Sequence, residues 1–221
     1  MEINIGQHIL SAHNEITIKN KDLLRQYGIL AINLMGSPGA GKTSVLEQLI
    51  GRLKPHVRMA VIEGDLYTSK DADRIEAQGI PVVQINTRGA CHLDGKMIAE
   101  ALQQLPLGEI DLLIIENIGN LVCPAEFDLG EDFRISVLSV TEGEDKVPKY
   151  PLMFKGVAGV ILNKVDLLPY TAFDTGAFYK DLQLLNPDAV VFEVSCRLNT
   201  GLDELAAWLQ EQIDHRGKKE E

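Results

Sequence analysis

The run Gly36-Ser-Pro-Gly-Ala-Gly41-Lys42-Thr43 constrains this chain more than any other stretch. It satisfies G-x-x-x-x-G-K-S/T and falls between an apolar, β-branched run at 29–35 and a stretch of helical periodicity at 42–53. A turn of this composition lets the backbone N–H groups of Gly36, Gly39, Ala40 and Gly41 approach phosphate oxygens, with Ser44 just inside the helix. Lys42 then reaches the β- and γ-phosphates and the Thr43 hydroxyl faces Mg2+. The motif predicts a triphosphate held where a strand gives way to a helix.

Six further strand-like runs, 57–62, 80–85, 111–115, 135–140, 157–162 and 189–194, alternate with helix candidates at 71–78, 94–105, 171–185 and 202–213. That alternation predicts βαβ units and a three-layer α/β fold: a mostly parallel sheet of about seven strands flanked by helices, as in P-loop NTPases. The 221 residues divide into a helical N-terminal extension at 1–28, a nucleotide-binding domain at 29–214 and a frayed tail at 215–221.

A formal charge of -11, from 32 acidic and 21 basic residues, argues against a sequence-independent grip on nucleic acid. No apolar run approaches the roughly 20 residues of a membrane span, and the first residues lack a signal-peptide pattern. A cytoplasmic protein without membrane contact is expected. The three cysteines, an odd number, suit reduced thiols better than a disulfide framework.

Asn163-Lys164-Val165-Asp166 follows another apolar run and resembles the guanine-recognition motif of GTPases. The Asp166 carboxylate accepts from N1–H and the N2 amine of guanine, a pattern adenine lacks, while the Lys164 stem covers the base. Ser195-Cys196-Arg197 resembles the second base-binding loop, with Cys196 also readable as a small, half-buried apolar residue. An ATPase of the deviant Walker type carries a second lysine just after the first glycine; Ser37 stands there.

Asp65, at the end of a strand, is a candidate Mg2+ ligand, although a turn-forming role explains it too. Glu116 stands where a Walker B acid would, and Gly119 is placed to donate its N–H to the γ-phosphate. Asp71 or Lys70 is a candidate for positioning the attacking water, with helix capping and solvation the plainer readings. No catalytic arginine stands out.

Cys91-His92 and Cys123 carry the thiolate and imidazole groups that Ni2+ and Zn2+ prefer. Three ligands leave a four-coordinate site incomplete, so water or a second subunit has to finish it. On spacing alone, a chance pairing of core cysteines with a surface histidine stays open.

Taken together, G-S-P-G-A-G-K-T, E-G-D, G-A-C-H-L-D, E-N-I-G-N-L-V-C-P, S-V-T-E-G-E-D-K and N-K-V-D resemble the HypB family, the nickel-insertion GTPases of nickel–iron hydrogenase maturation. The resemblance covers about residues 34–201. It implies slow GTP hydrolysis with Mg2+, a homodimer in the GTP state, and Ni2+ or Zn2+ on Cys91, His92 and Cys123 at the dimer interface. It further implies Lys42, Asp65 and Glu116 in the reaction, with Thr43, Asp65 and Glu116 around Mg2+. Partners implied are a HypA-like zinc protein and the hydrogenase large-subunit precursor, and Lys146 or Lys149 is expected to cross to a partner's nucleotide. The metal-loop motifs are shared with UreG, the urease counterpart, which is the alternative reading; a nucleotide-switched regulatory module without metal delivery is another. An N-terminal Cys-x-x-Cys and a histidine-rich stretch, found in part of the family, are missing here, so nickel storage is not expected.

Overall fold

In the computed structural model, which describes residues 5–66 and 70–217, seven strands form one sheet in the order β3-β2-β4-β1-β5-β6-β7. They are β1 (Leu30–Gly36), β2 (Met59–Asp65), β3 (Val82–Asn86), β4 (Leu112–Glu116), β5 (Phe133–Ser139), β6 (Gly159–Asn163) and β7 (Val190–Val194). Every pairing between them is parallel. The helices are α1 (Ile5–Gln26), α2 (Lys42–Leu53), α3 (Lys70–Glu76), α4 (Gly95–Leu102), α5 (Cys123–Glu126), α6 (Lys146–Lys149), α7 (Pro151–Phe154), α8 (Thr175–Leu185) and α9 (Leu202–Gly217).

The strands read as unbroken apolar runs because both sheet faces are covered, as parallel sheets require. Alternate side chains divide between the faces. Leu30, Ile32, Leu34, Val61 and Ile114 pack with Leu46 and Leu49 of α2, Ile75 of α3 and Leu205 of α9. Ala31, Ile62, Leu113 and Ile115 meet Leu24 of α1 and Ile98 of α4, while Leu138, Val160 and Leu162 meet Phe154 of α7 and Phe178 of α8. Parallel strands deliver all their carboxyl ends to one edge, where α/β folds bind ligands.

Within the expected helical extension, α1 is tied to the body of the fold: Thr17 Oγ1 donates to the Asp128 carbonyl, and Asn20 Nδ2 donates to the carbonyls of Gly95 and Leu129. Two boundaries differ most from the sequence expectation. The tail does not fray at 215, since α9 continues to Gly217. Arg216 there holds Asp132 at 2.7 Å and the Ile29 carbonyl at 3.2 Å; residues 218–221 lie outside the described part. The helix expected from 171 starts at Thr175, because Asp174 caps it through Ala177 N–H and Val165–Tyr170 forms 3-10 turns around Pro169. Among the described residues no helix is long and apolar enough to cross a membrane.

Candidate functional site

The loop from β1 to α2 wraps a cavity of about 420 Å³, lined by Gly39, Gly41, Lys42, Thr43, Ser44, Glu63, Asp65, Asp71, Arg74, Glu116, Gly119 and Lys164 among others. Gly41 sits at φ 98°, and a Cβ there would lie 2.3 Å from Asn163 Nδ2, so both backbone shape and space demand glycine. Gly119 is restricted by space alone: a Cβ would come within 2.8 Å of Pro38 N, which seats the loop after β4 against the phosphate loop. Gly36 and Ala40 are not among the residues that line the cavity.

Lys42 is buried, with Nζ donating to the carbonyls of Gly36 and Ser37 at 3.3 Å each. Burial pulls its pKa below the ordinary lysine value, against the pull of Glu116, Asp71, Glu142 and Glu63. Thr43 Oγ1 donates to Glu116 Oε1 at 2.7 Å. Glu63 and Glu116 are register partners on β2 and β4, both 3% exposed. Desolvation first, then Glu116 and Asp65, raises Glu63 from 4.5 to about 8; desolvation raises Glu116 to about 7, opposed by Lys42 and the Thr43 bond. Glu63 Oε2 and Glu116 Oε2 have no hydrogen-bond partner among the described residues. Two buried, unpartnered carboxylate oxygens beside a threonine hydroxyl fit a hard divalent cation such as Mg2+, which takes oxygen ligands.

A second cavity, of about 300 Å³, adjoins the first and is lined by Gly41, Ser44, Asn163, Lys164, Asp166, Leu167, Cys196 and Arg197. Asn163 Nδ2 donates to the Ala40 carbonyl at 2.8 Å, tying the base-side motif to the phosphate loop. Lys164, at φ 62°, lays its stem along that loop, with Nζ donating to the Gly39 carbonyl at 2.7 Å. Ser195 is buried and lines neither cavity; its hydroxyl donates to Asp166 Oδ1 at 2.6 Å and so aims the carboxylate.

Cys91, His92 and Cys123 converge at the same sheet edge, with a ligand atom from each lying within 4.8 Å of the others. The two sulfurs are 3.0 Å apart, and Cys91 Sγ lies 3.6 Å from His92 Nδ1. His92 stacks on Phe127 with ring centroids 3.9 Å apart and planes inclined by 12°. All three cysteines are free thiols; the Cys91 hydrogen bond is the main cause that pushes the Cys123 thiol above its ordinary value. Cys196 stays apart from this group, half-buried against the α2 side of the core.

The sequence profile of the CobW/HypB/UreG nucleotide-binding domain matches residues 30–193. The hydrogenase maturation factor HypB of Escherichia coli is 47% identical over 212 residues, covering 96% of this chain and 72% of its own length. A probable HypB from Methanocaldococcus jannaschii is 40% identical and covered to 96% on both sides. The crystal structure of Helicobacter pylori HypB in complex with nickel superposes with a TM-score of 0.88 at 38% identity, spanning 92% of this chain and 96% of that one.

The chain belongs to the HypB family. Membership places it among hydrogenase maturation factors with a P-loop nucleotide-binding domain. The three HypB-type loops predicted from sequence, at 36–43, 91–92 and 119–123, do gather at one edge of the sheet. Sequence reasoning left out Glu63, Arg74 and Asn117, which line the main cavity. Glu63 carried a legible signal, an acid closing an apolar strand run just before Asp65. Arg74 did not: only the fold turns α3 so that this arginine, paired with Glu47 and Asp71, faces the phosphate side.

Proposed function

We propose that this HypB-family chain hydrolyses GTP with Mg2+ and uses the cycle to bind and release nickel for hydrogenase maturation. The observation that carries this reading is the single segment running from Gly119, seated on Pro38 of the phosphate loop, to Cys123 of the thiolate cluster. Any displacement of Gly119 has four residues in which to reach Cys123.

Lys42 and the amides of the β1–α2 turn hold the phosphates, and Asn163, Lys164 and Asp166 read the base through the carboxylate that Ser195 orients. Arg197 and Cys196 close the base cavity. Thr43, Glu116 and Asp65, with Glu63 behind them, would hold Mg2+, which when bound neutralises charge growing on the β- and γ-phosphates. Its arrival would also leave Glu63 and Glu116 ionised, since a neighbouring cation favours the carboxylate. Asp71 on α3 faces the γ-phosphate end of the cavity and orients the attacking water through an acceptor oxygen, with Arg74 pinning it at 2.9 Å. Without an arginine supplied from outside, turnover is about 10⁻⁴ to 10⁻² per second.

Nickel is the cargo, held by the sulfurs of Cys91 and Cys123 and a ring nitrogen of His92; the same soft donors accept Zn2+. Three donors on an open surface leave a position for a second copy of the chain, and a GTP-state homodimer completes the site. A HypA-like zinc protein and the hydrogenase large-subunit precursor are the natural handover partners, and the cytoplasm is the natural compartment for reduced thiols. The test is equilibrium nickel titration with a slowly hydrolysed GTP analogue and with GDP, each with Mg2+. Affinities differing by about tenfold or more, equivalent to about 1.4 kcal/mol of coupling, support the cycle. Equal affinities overturn it.

A further inference from the structure

Four polar side chains, Asn33, Asn117, Glu131 and Arg134, are given no step in the cycle described above, although Asn117 also lines the main cavity, and three of them are 4% exposed or less. Asn33 is the one amide in a β1 otherwise built from apolar residues and glycine. Burying amides and a carboxylate at this depth costs free energy unless each is bonded. Here they are. Asn33 Nδ2 donates to Glu131 Oε1 at 3.3 Å, and Asn117 Nδ2 donates to Asn33 Oδ1 at 3.2 Å. Arg134 Nε donates to the same Glu131 Oε1 at 2.5 Å, and the Leu129 N–H donates to Glu131 Oε2 at 2.7 Å.

Both ends of this chain of bonds finish on the backbone of a metal loop. At one end Asn117 Oδ1 accepts from Leu93 N–H at 3.3 Å, the residue after His92, and from Ile118 N–H at 2.9 Å. At the other, the Arg134 fork donates to the carbonyls of Ala125 at 2.8 Å and Phe127 at 3.0 Å, just past Cys123. The His92–Phe127 stack joins the two ends, so the bonds close into a ring beneath the thiolates. The loop that leads to Cys123 is also tied to β1 by its backbone, Asn117 N–H donating to the Leu34 carbonyl at 3.0 Å and Asn120 N–H to the Gly36 carbonyl at 3.1 Å.

We propose that Asn33, Asn117, Glu131 and Arg134 are positioning residues for the nickel cluster: the ring holds the His92 and Cys123 loops at their mutual distance and ties both to the strand end that carries Glu116. The inference rests on the nickel reading above. An apolar filling of the same space would have been less costly, and what the polar ring adds is direction. Supporting partners of metal ligands are worth about 10- to 100-fold in affinity, and that is the effect expected here.

The experiment compares the full-length protein with Arg134→Lys, which keeps a charge for Glu131 but loses the fork, and with Asn33→Leu, which breaks the ring at its centre. Nickel alone is titrated, following sulfur-to-nickel charge-transfer absorption, and GDP affinity is measured in parallel. Both variants should bind nickel about 10- to 100-fold more weakly with an altered charge-transfer band, while GDP affinity stays within about twofold. Nickel affinity and spectrum unchanged in Arg134→Lys overturn the proposal, and so does a matched fall of nickel and GDP affinity, which marks a general structural role. Should Asn33→Leu fail to fold, Arg134→Lys decides alone. Cys91→Ala is the control: wild-type nickel binding that survives it sinks the nickel reading itself, an outcome distinct from a failure of the ring.

Discussion

The nucleotide cradle hangs on the carboxyl ends of buried strands, with Lys42, Thr43, Glu63 and Glu116 all buried. The Cys91, His92, Cys123 cluster stands on two connecting loops above the same edge, its thiols at the surface. Phosphate binding needs preorganised N–H groups and buried charge, so it calls for rigid elements. Cargo that has to leave calls for ligands on segments that can move as a unit, and loops tied to the sheet through side chains provide that. Joining them at Gly119 puts a rigid sensor and a movable grip in one short segment.

The sharpest way to break that comparison is a pair of crossed substitutions. Lys42→Ala should lower GTP turnover on the order of 10²- to 10³-fold, because a preorganised charge facing the transferred phosphoryl group is lost. Nickel affinity without nucleotide should then stay within about twofold of wild type. Cys123→Ala should do the converse, weakening nickel on the order of 100-fold with GDP affinity intact. Single-turnover hydrolysis and nickel titration on both variants read the outcome. If either substitution disables both activities in protein of unchanged thermal stability, the cradle and the grip are one site and the comparison fails.

How far each region could be read in the sequence follows from the same contrast. A phosphate cradle is contiguous in chain, so Gly36 to Thr43 announced the cavity and its place between β1 and α2. All seven strands were legible because parallel strands buried on both faces leave apolar runs. The thiolate cluster joins residues 32 apart in sequence: spacing alone left a chance pairing open, the likeness of the surrounding loops to the family turned the reading to a metal site, and the fold brings the three side chains together. Of the ring of Asn33, Asn117, Glu131 and Arg134 only Asn33 left a trace, as the one amide in an apolar strand run; its partners Asn117 and Glu131 lie 84 and 98 residues away and only the fold joins them. Ser195 shows the same limit: it was expected in a base-binding loop, and only the fold reveals that its hydroxyl donates to Asp166 at 2.6 Å.

Base specificity sharpens the picture within the rigid half. Asp166→Asn replaces an acceptor with a donor opposite guanine N1–H and the N2 amine, so GTP should weaken on the order of 10- to 100-fold. Xanthosine triphosphate, with an acceptor at C2, should gain in its place. Competition between the two nucleotides for the variant measures the switch. Unchanged preference would mean that the cavity beside Lys164 and Arg197 does not hold the base.

The smallest effect is one of pH, and here the two regions should respond with opposite sign. Glu63 and Glu116 have folded-state pKa values raised from 4.5 to about 8 and about 7. Between the unfolded and folded values the native protein therefore binds more protons than the unfolded chain, and unfolding free energy falls as pH rises through that window. The nucleotide-free protein should melt a few degrees lower at about pH 8 than at about pH 5, with part of the slope removed by Glu63→Gln. Mg2+ with GDP should flatten the slope, because a cation then takes the place of the protons. The thiolate cluster runs the other way: the bond from Cys91 keeps Cys123 protonated above the ordinary thiol range, nickel has to displace those protons, and its affinity should rise with pH. Calorimetric melting without nucleotide, alongside nickel titrations across the same buffers, gives both slopes. Matching signs would place the proton-holding groups outside Glu63 and Glu116 and remove the buried-carboxylate account of the Mg2+ site.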